Sequence, residues 1–506
     1  MELIKELVQF TNRNKIKHID IIGQSTMTET DAMKLYDALL AEEIEDEEEA
    51  IALLSDQSQK KKYQNAKYRL QKKLLNTIFF IDQKQEYFTA YDRAFYDCHK
   101  KWVAGFILAR RGAIKLSIDI REKLFKKAEK FEFTHICMSC ANDLKYQYGS
   151  LLGNVKKFEF YRQKHHQYAK IVHAENLISD HYNIFVLRYV RNKGTQKEGF
   201  EIAERAIIEL DQQTVQPQTS RYIFFYNFLL VARYLATNNH PKVVAECQQA
   251  LDILKNKPYV PYGFLRSFLY QQIASYTQLK EYDRGRAAVE ECLNYVEKSR
   301  GDRAWFVVMK LSITLSLHTQ SYQAAWQDFE EATRHRQFKK LFANQQENWL
   351  ITEAYLAFLV KTGKIETTQK KYHKFRVRKF ANSLPIFSKD KEGFNIPILI
   401  IQALLHITNN KLDAAFDNIE RLAAYGSRYL RKDDHNFRSH CFIKMLAELP
   451  KQSFHPVAVE RHTARFRKRL TEKPINISNQ SYELEIIPYE DLWEMVKEEL
   501  DRLQKR

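Results

Sequence analysis

Apolar residues recur along most of this chain at the spacing of amphipathic helices. Between Tyr222 and Ala332 they do so in a pattern that occurs three times. Each unit is an apolar helix, a short polar turn and a second helix with small residues on its inner face. The first helices contain Phe225–Tyr234, Tyr270–Tyr276 and Leu311–Leu317. The turns fall at His240-Pro241-Lys242-Val243, Tyr282-Asp283-Arg284-Gly285 and Ser321-Tyr322-Gln323-Ala324-Ala325. Cys247 and Ala250, Val289 and Cys292, and Phe329 and Ala332 follow them. The step is roughly 40 residues, a period at which paired helices stack into α-solenoids. Small side chains allow the close approach of antiparallel helices joined by short turns. Lys361-Thr362-Gly363-Lys364-Ile365 reads as a fourth turn. Asn409-Asn410-Lys411-Leu412-Asp413-Ala414-Ala415, with Ile419 and Leu422 beyond it, reads as a fifth.

The aromatics late in the first helix (Tyr234, Tyr276) and after the turn (Tyr282, Tyr322), with the small residues Gly285, Ala325, Cys292 and Ala332, resemble the tetratricopeptide repeat family. The period here exceeds that family's ~34 residues. The first-helix Trp is missing, and Gln272-Ile273 and Ser312-Ile313 replace the family's Leu-Gly pair. The resemblance implies an all-α, α-solenoid fold of stacked antiparallel helical hairpins. It also implies protein or peptide recognition in a concave groove, with no shared catalytic residues.

Residues 1–82 read as a separate helical region. Leu3, Leu7, Val8 and Phe10 suit a short helix, Ile16–Ile22 alternates like a brief strand, and further helices run over Thr28–Leu40, from the acidic run Glu42–Glu49, and over Tyr63–Ile81. Three short helices ending in a basic one outline a helix-turn-helix DNA reader. Equally, an acidic and a basic helix can satisfy each other: an exposed basic helix around Lys67–Lys73 favours DNA binding, and docking of Leu70 and Leu74 into the solenoid, with the basic side paired to Glu42–Glu49, favours the scaffold. Residues 83–212 read as divergent hairpins, with Gly112 at one turn and a long helix interrupted near Ser179. Residues 213–430 hold the tetratricopeptide-like repeats, and 431–506 form a C-terminal cap. In the cap, Ile475–Ile487 alternates like a small β-hairpin or extended wrap before an amphipathic helix through Leu492, Trp493, Val496 and Leu500.

Composition agrees with long helices: the 506 residues include only 13 Gly and 10 Pro, where strands and tight turns would demand more. Six irregularly spaced cysteines fit a reduced compartment. The opening Met1–Leu7 carries acid and lacks a continuous apolar run, so no signal peptide is read there. Apolar stretches are too short or too interrupted to span a bilayer, and a cytoplasmic location without membrane partners is expected.

Chemistry-bearing motifs are sparse. Cys137-Met138-Ser139-Cys140 lacks the second pair that a structural zinc site needs and reads as helix packing. His165, His166, His173 and His181 share a helix without carboxylates at fixed spacing. Phosphate loops, dinucleotide fingerprints and His-Glu-x-x-His are absent from the sequence, so no catalytic residue, metal or cofactor is assigned. The stronger signal is charge, +17 formally. Basic clusters occur at Arg334–Lys340, Lys370–Lys379, Arg428–Lys432 and Arg461–Arg469. The expected function is a non-catalytic scaffold or adaptor binding an acidic protein or peptide. Its partner-binding residues would be Asn227, Arg266, Tyr270, Arg303 and Lys310 on exposed inner helices, with Lys370, Lys371, Lys374, Arg376 and Arg378 on the second helix of the fourth unit. The alternative is a nucleic-acid-binding regulator whose N-terminal helices contact DNA.

Overall fold

The computed structural model describes residues 30–41, 43–44, 46–54, 60–80, 83–84, 88–191, 195–299, 302–384, 395–429, 436–475 and 485–505. The fold is all-α, 82% helical, with no strand among the described residues. The helix expected at Leu3–Phe10 and the strand expected at Ile16–Ile22 lie outside those residues. The chain divides into two compact units, residues 1–166 and 167–506, described here in turn.

In the first unit, α1 (Asp31–Leu40), α2 (Glu47–Leu54) and α3 (Lys60–Thr77) form a small cluster. Tyr63, Ala66, Leu70 and Leu74 form one stripe of α3, buried with Leu35, Leu39, Ala50 and Leu54. Acids Glu47, Glu48 and Glu49 occupy the first turn of α2, where the helix dipole favours them. Next, α4 (Ala90–Arg110) and α5 (Ile114–Lys130) make a hairpin whose turn residue Gly112 has φ +80°, and α6 (Thr134–Tyr146) follows. A capping box between Thr89 and Asp92 starts α4. α7 (Val155–Phe185) is one continuous helix that passes through Ser179, where the sequence suggested a break.

The second unit continues with α8 (Gln196–Asp211) and then helical hairpins in chain order. α9 (Ser220–Ala236) pairs with α10 (His240–Lys255), α11 (Tyr262–Leu279) with α12 (Tyr282–Lys298), and α13 (Asp302–His318) with α14 (Tyr322–Arg334). α15 (Ala343–Lys361) is followed by two short helices, α16 (Lys370–His373) and α17 (Val377–Asn382). α18 (Asn395–Thr408) pairs with α19 (Leu412–Tyr429), and α20 (Phe437–Lys451) with α21 (Pro456–Glu472). One left-handed residue ends the first helix of five successive hairpins: Asn238, Lys280, Gln320, Gly363 and Asn410, with φ between 54° and 74°. The small residues lie inside. Cys247, Cys292, Ala325 and Ala332 are fully buried, and a Cβ on Gly285 would stand 2.6 Å from Leu315 of α13. That close approach joins one hairpin to the next, not the two helices of one hairpin.

The expected C-terminal β-hairpin is not formed by its described margins: Ile475 and Glu485–Ile487 carry no strand, and 476–484 lie outside the described residues. These margins pack across helix ends instead. Gln278 Nε2 donates to the Ile475 carbonyl (2.6 Å), and His318 Nε2 donates to the Glu485 carbonyl (3.1 Å). The last helix, α22 (Tyr489–Gln504), buries Leu492, Trp493, Val496 and Leu500 in a core shared with α13–α15 and α18–α21. Gln320 bonds Asp491 (2.7 Å), Lys364 pairs with Glu498 (2.9 Å), and the Tyr489 ring stacks on Phe442 at 4.3 Å. The C-terminal helix thus covers this core with its apolar face, is held by Gln320 and Lys364 at the turns of two hairpins, and leaves Glu494, Glu498 and Asp501 exposed.

Holding it requires a buried ion pair. Arg438 and Glu485 are each 1% exposed and joined by two hydrogen bonds of 3.0 and 2.7 Å. Arg438→Ala, leaving Glu485 buried and unpaired, is expected to lower the unfolding free energy by about 3–5 kcal/mol in urea titrations. Ala325→Leu, at a fully buried packing position, should overpack and cost about 1–3 kcal/mol, read as a lower melting temperature. Burial pushes the pKa of His240 down to about 4. Burial, then the charge of Lys280, pushes that of His318 down to about 3. Both stay neutral when folded but take a proton near their ordinary value of 6.5 when unfolded. Stability present above that value is thus lost as pH falls toward the folded values. Denaturation at pH 5 should show about 2 kcal/mol less stability per histidine than at pH 7.5, and His318→Gln should shrink the difference.

Candidate functional site

The fourth hairpin departs from its neighbours where its second helix should be. The sequence suggests one helix across Lys370–Lys379; the structure has α16 and α17 separated by Lys374, Phe375 and Arg376. The apolar spacing explains the break. Tyr372, Val377 and Phe380 are all buried, yet on one continuous helix Tyr372 and Val377 would stand about 140° apart. A straight helix would also stack Lys370 on Lys374 and Lys374 on Arg378, like charges at the spacing where they repel.

With the backbone broken, the apolar residues turn inward and the cations outward. Lys370, Lys371, His373, Lys374, Arg376, Arg378 and Lys379 are all exposed. Beside them is a cleft of about 880 Å³, closed on the other side by the end of α15, the end of α18 and the turn before α19. Six Lys and Arg residues line it: Lys361, Lys374, Arg376, Arg378, Lys379 and Lys411. His373, His406, Asn382, Ser383, Asn409, Phe375 and Val377 complete the lining, and no carboxylate is among the described lining residues.

Lys361 is the innermost cation. Its Nζ donates to the His373 carbonyl (2.7 Å) and to Asn409 Oδ1 (2.9 Å), both neutral acceptors, and burial lowers its pKa. His406 is held below its ordinary pKa by burial and then by the charge of Lys411, and its Nδ1 is buried without a hydrogen-bond partner among the described residues. His373 Nε2 donates to the Thr367 carbonyl (3.1 Å), which fixes the ring at the cleft edge. Among the described residues, Lys374, Arg376, Arg378, Lys379 and Lys411 have no carboxylate partner.

Several basic residues elsewhere are engaged, although Arg336, Lys339, Lys340 and Arg428 also have no carboxylate partner among the described residues. Arg334 pairs with Glu330 (3.2 Å), Arg467 reaches both Glu494 and Glu460, and Lys468 lies 4.0 Å from Glu472. Arg465 and Arg469 cover the rings of Phe466 and Phe437. Arg431 and Lys432 lie outside the described residues.

Of the residues singled out in the sequence, the cleft gathers Lys374, Arg376 and Arg378. Lys370 and Lys371 lie beyond its lining, Lys371 being 3.7 Å from Glu353. The inner-helix set is not a row of exposed groups. Asn227 is 6% exposed and spends its amide on the Ile223 carbonyl (2.8 Å). Arg266 bonds Ser299 Oγ (2.8 Å), Tyr270 is half-buried beside it, and Lys310 donates to Thr352 Oγ1 over the Trp349 ring. The engagement comes from three sources: Asn227 bonds its own helix, Arg266 the end of the second helix of its hairpin, and Lys310 the next first helix. Arg303 alone of the five is exposed, stacked on Phe342 at 4.9 Å. The sequence reading missed Lys361, His406 and Lys411 as site residues. Their signal was the pair of turns at Lys361–Ile365 and Asn409–Ala415, since stacking neighbouring hairpins brings consecutive turns side by side.

The remaining motifs are internal. Cys137 and Cys140 are fully buried in α6, and burial pushes the Cys140 thiol up to about 12. His181 lies 3.3 Å from Glu209. No described helix is long and apolar enough to cross a membrane. No protein-family model, curated protein or solved structure matches this chain.

Proposed function

We propose that the chain is a non-catalytic scaffold of the tetratricopeptide-like α-solenoid type that captures an acidic protein or peptide segment in the cleft beside α16 and α17. The observation that carries this reading is the gathering of six cations around one cleft with no carboxylate among its described lining. An ordinary solvated face intersperses both signs, as Arg467, Lys497, Glu460 and Glu494 do on α21 and α22. Like charges held together raise the energy of the free protein, and an anionic partner removes that cost. The C-terminal segment also bears on the mode of binding. Side chains at the ends of α11, α13 and α15 already hold Ile475, Glu485 and Glu498 of that segment, so an edge cleft offers a partner what those positions do not.

A second reading as a nucleic-acid-binding regulator rests on α3. Leu70 and Leu74 dock it onto α1 and α2, yet Arg69 and Lys72 remain exposed, with Tyr68 67% exposed between the buried positions. Salt titrations of a poly-glutamate peptide and of a DNA duplex separate the two. Lys374→Glu with Arg378→Glu should weaken the peptide by about tenfold or more without lowering the melting temperature, while Arg69→Glu with Lys72→Glu leaves it unchanged. Duplex binding that falls linearly on a log–log salt plot, and is lost in the Arg69/Lys72 variant alone, would establish the second reading in its place.

A further inference from the structure

We infer that the cleft is built for closely spaced phosphoryl groups in preference to carboxylates; this rests on the reading of the cleft as an anion-binding site. The first argument is charge density. Six cations surround about 880 Å³, and a carboxylate brings one negative charge with a whole residue attached. A phosphoryl group carries about −1.5 to −2 at neutral pH on three acceptor oxygens, so about three or four of them would neutralise the six cations.

The second argument is the donor set. Arg376 and Arg378 offer the planar forks that bind phosphate oxygens in pairs, and the lysines add point charges from several directions. Lys361 is the third. An ammonium has three N–H groups, and two are used by the neutral acceptors His373 O and Asn409 Oδ1. Half-buried, it has no carboxylate partner among the described residues and is aligned by its neighbours at the inner end of the cleft. His406 lines the same cleft with its Nδ1 buried and unpartnered among the described residues, a further donor or acceptor for an oxygen-rich ligand.

The test uses the full chain and isothermal titration with inorganic triphosphate, a hexaglutamate peptide and a peptide carrying two adjacent phosphoserines. Triphosphate should bind about tenfold or more tightly than hexaglutamate. Lys361→Met and Arg378→Gln should each weaken it about tenfold, while Lys126→Gln, on an exposed face of the other unit, should not. Arg378 is exposed, so that variant keeps the test valid should Lys361→Met unfold. A phosphoserine peptide within about tenfold of triphosphate assigns the phosphates to a protein partner; one no better than hexaglutamate assigns them to a free polyphosphate. Hexaglutamate binding as tightly as triphosphate, with both weakened in Arg378→Gln, overturns the phosphate inference and leaves the acidic-partner reading standing. Affinities for both ligands unchanged in the folded variants would overturn the two together.

Discussion

A guanidinium that is 1% exposed needs an acceptor for each N–H, and much of the second unit is arranged around supplying them to Arg438. Glu485 takes two, the carbonyls of Leu470 and Lys473 take NH1 at 3.1 and 2.8 Å, and Glu490 takes another. Glu485 in turn accepts from the Tyr489 backbone N–H at 2.8 Å, which sets the start of α22. One charge thus ties the first turn of α20, the end of α21 and the entry to α22 into a single geometry. A hydrophobic replacement of the pair would fill the volume as well. It would not fix the direction in which α22 enters the core, and that direction decides whether Trp493 and Leu500 meet the faces of α15 and α18.

Much of the hairpin array is legible in the sequence because its causes are local. Apolar periodicity gives the helices, small residues give the tight crossings, and polar breaks such as Lys361–Ile365 give the turns. The left-handed turn residue is less visible. Gly363 and Asn410 suit that conformation, but Lys280 and Gln320 adopt it at φ 60° because the helices on either side are fixed by packing. The path of the segment before α22 is not legible at all. Its contacts join Gln278 to Ile475, His318 to Glu485 and Arg438 to Glu485, partners that no periodicity links. Amphipathicity says only that α22 needs a surface to cover, not which surface.

The candidate site divides in the same way. The charge of Lys374, Arg376 and Arg378 is plain in the sequence, and the break that presents it follows from a five-residue step between Tyr372 and Val377, a spacing that a 3.6-residue helix cannot bury on one face. Asn227 was misjudged for a physical reason: in a hairpin array the first helices also touch each other, so a polar residue among Ile223, Phe224 and Leu229 can be satisfied by its own helix.

Charge economy separates the cleft from the rest of the molecule. Two cations elsewhere have a carboxylate counter-ion: Asp328, 3% exposed, receives Arg286 at 2.8 Å and Ser312 besides, and Arg121 meets Asp143 at 3.1 Å. In the cleft the desolvated Lys361 receives only neutral oxygens. Lys411, beside it, comes from the next hairpin and adds repulsion. An anion settling there would be held jointly by the turn after α15 and the turn after α18. Its binding free energy would then be shared with the packing of two adjacent hairpins, because whatever binds the folded arrangement and not the unfolded one stabilises the fold by mass action. An unfilled charge cluster between two hairpins thus costs the free protein some stability, and an anion bound there would offset that cost where the hairpins meet.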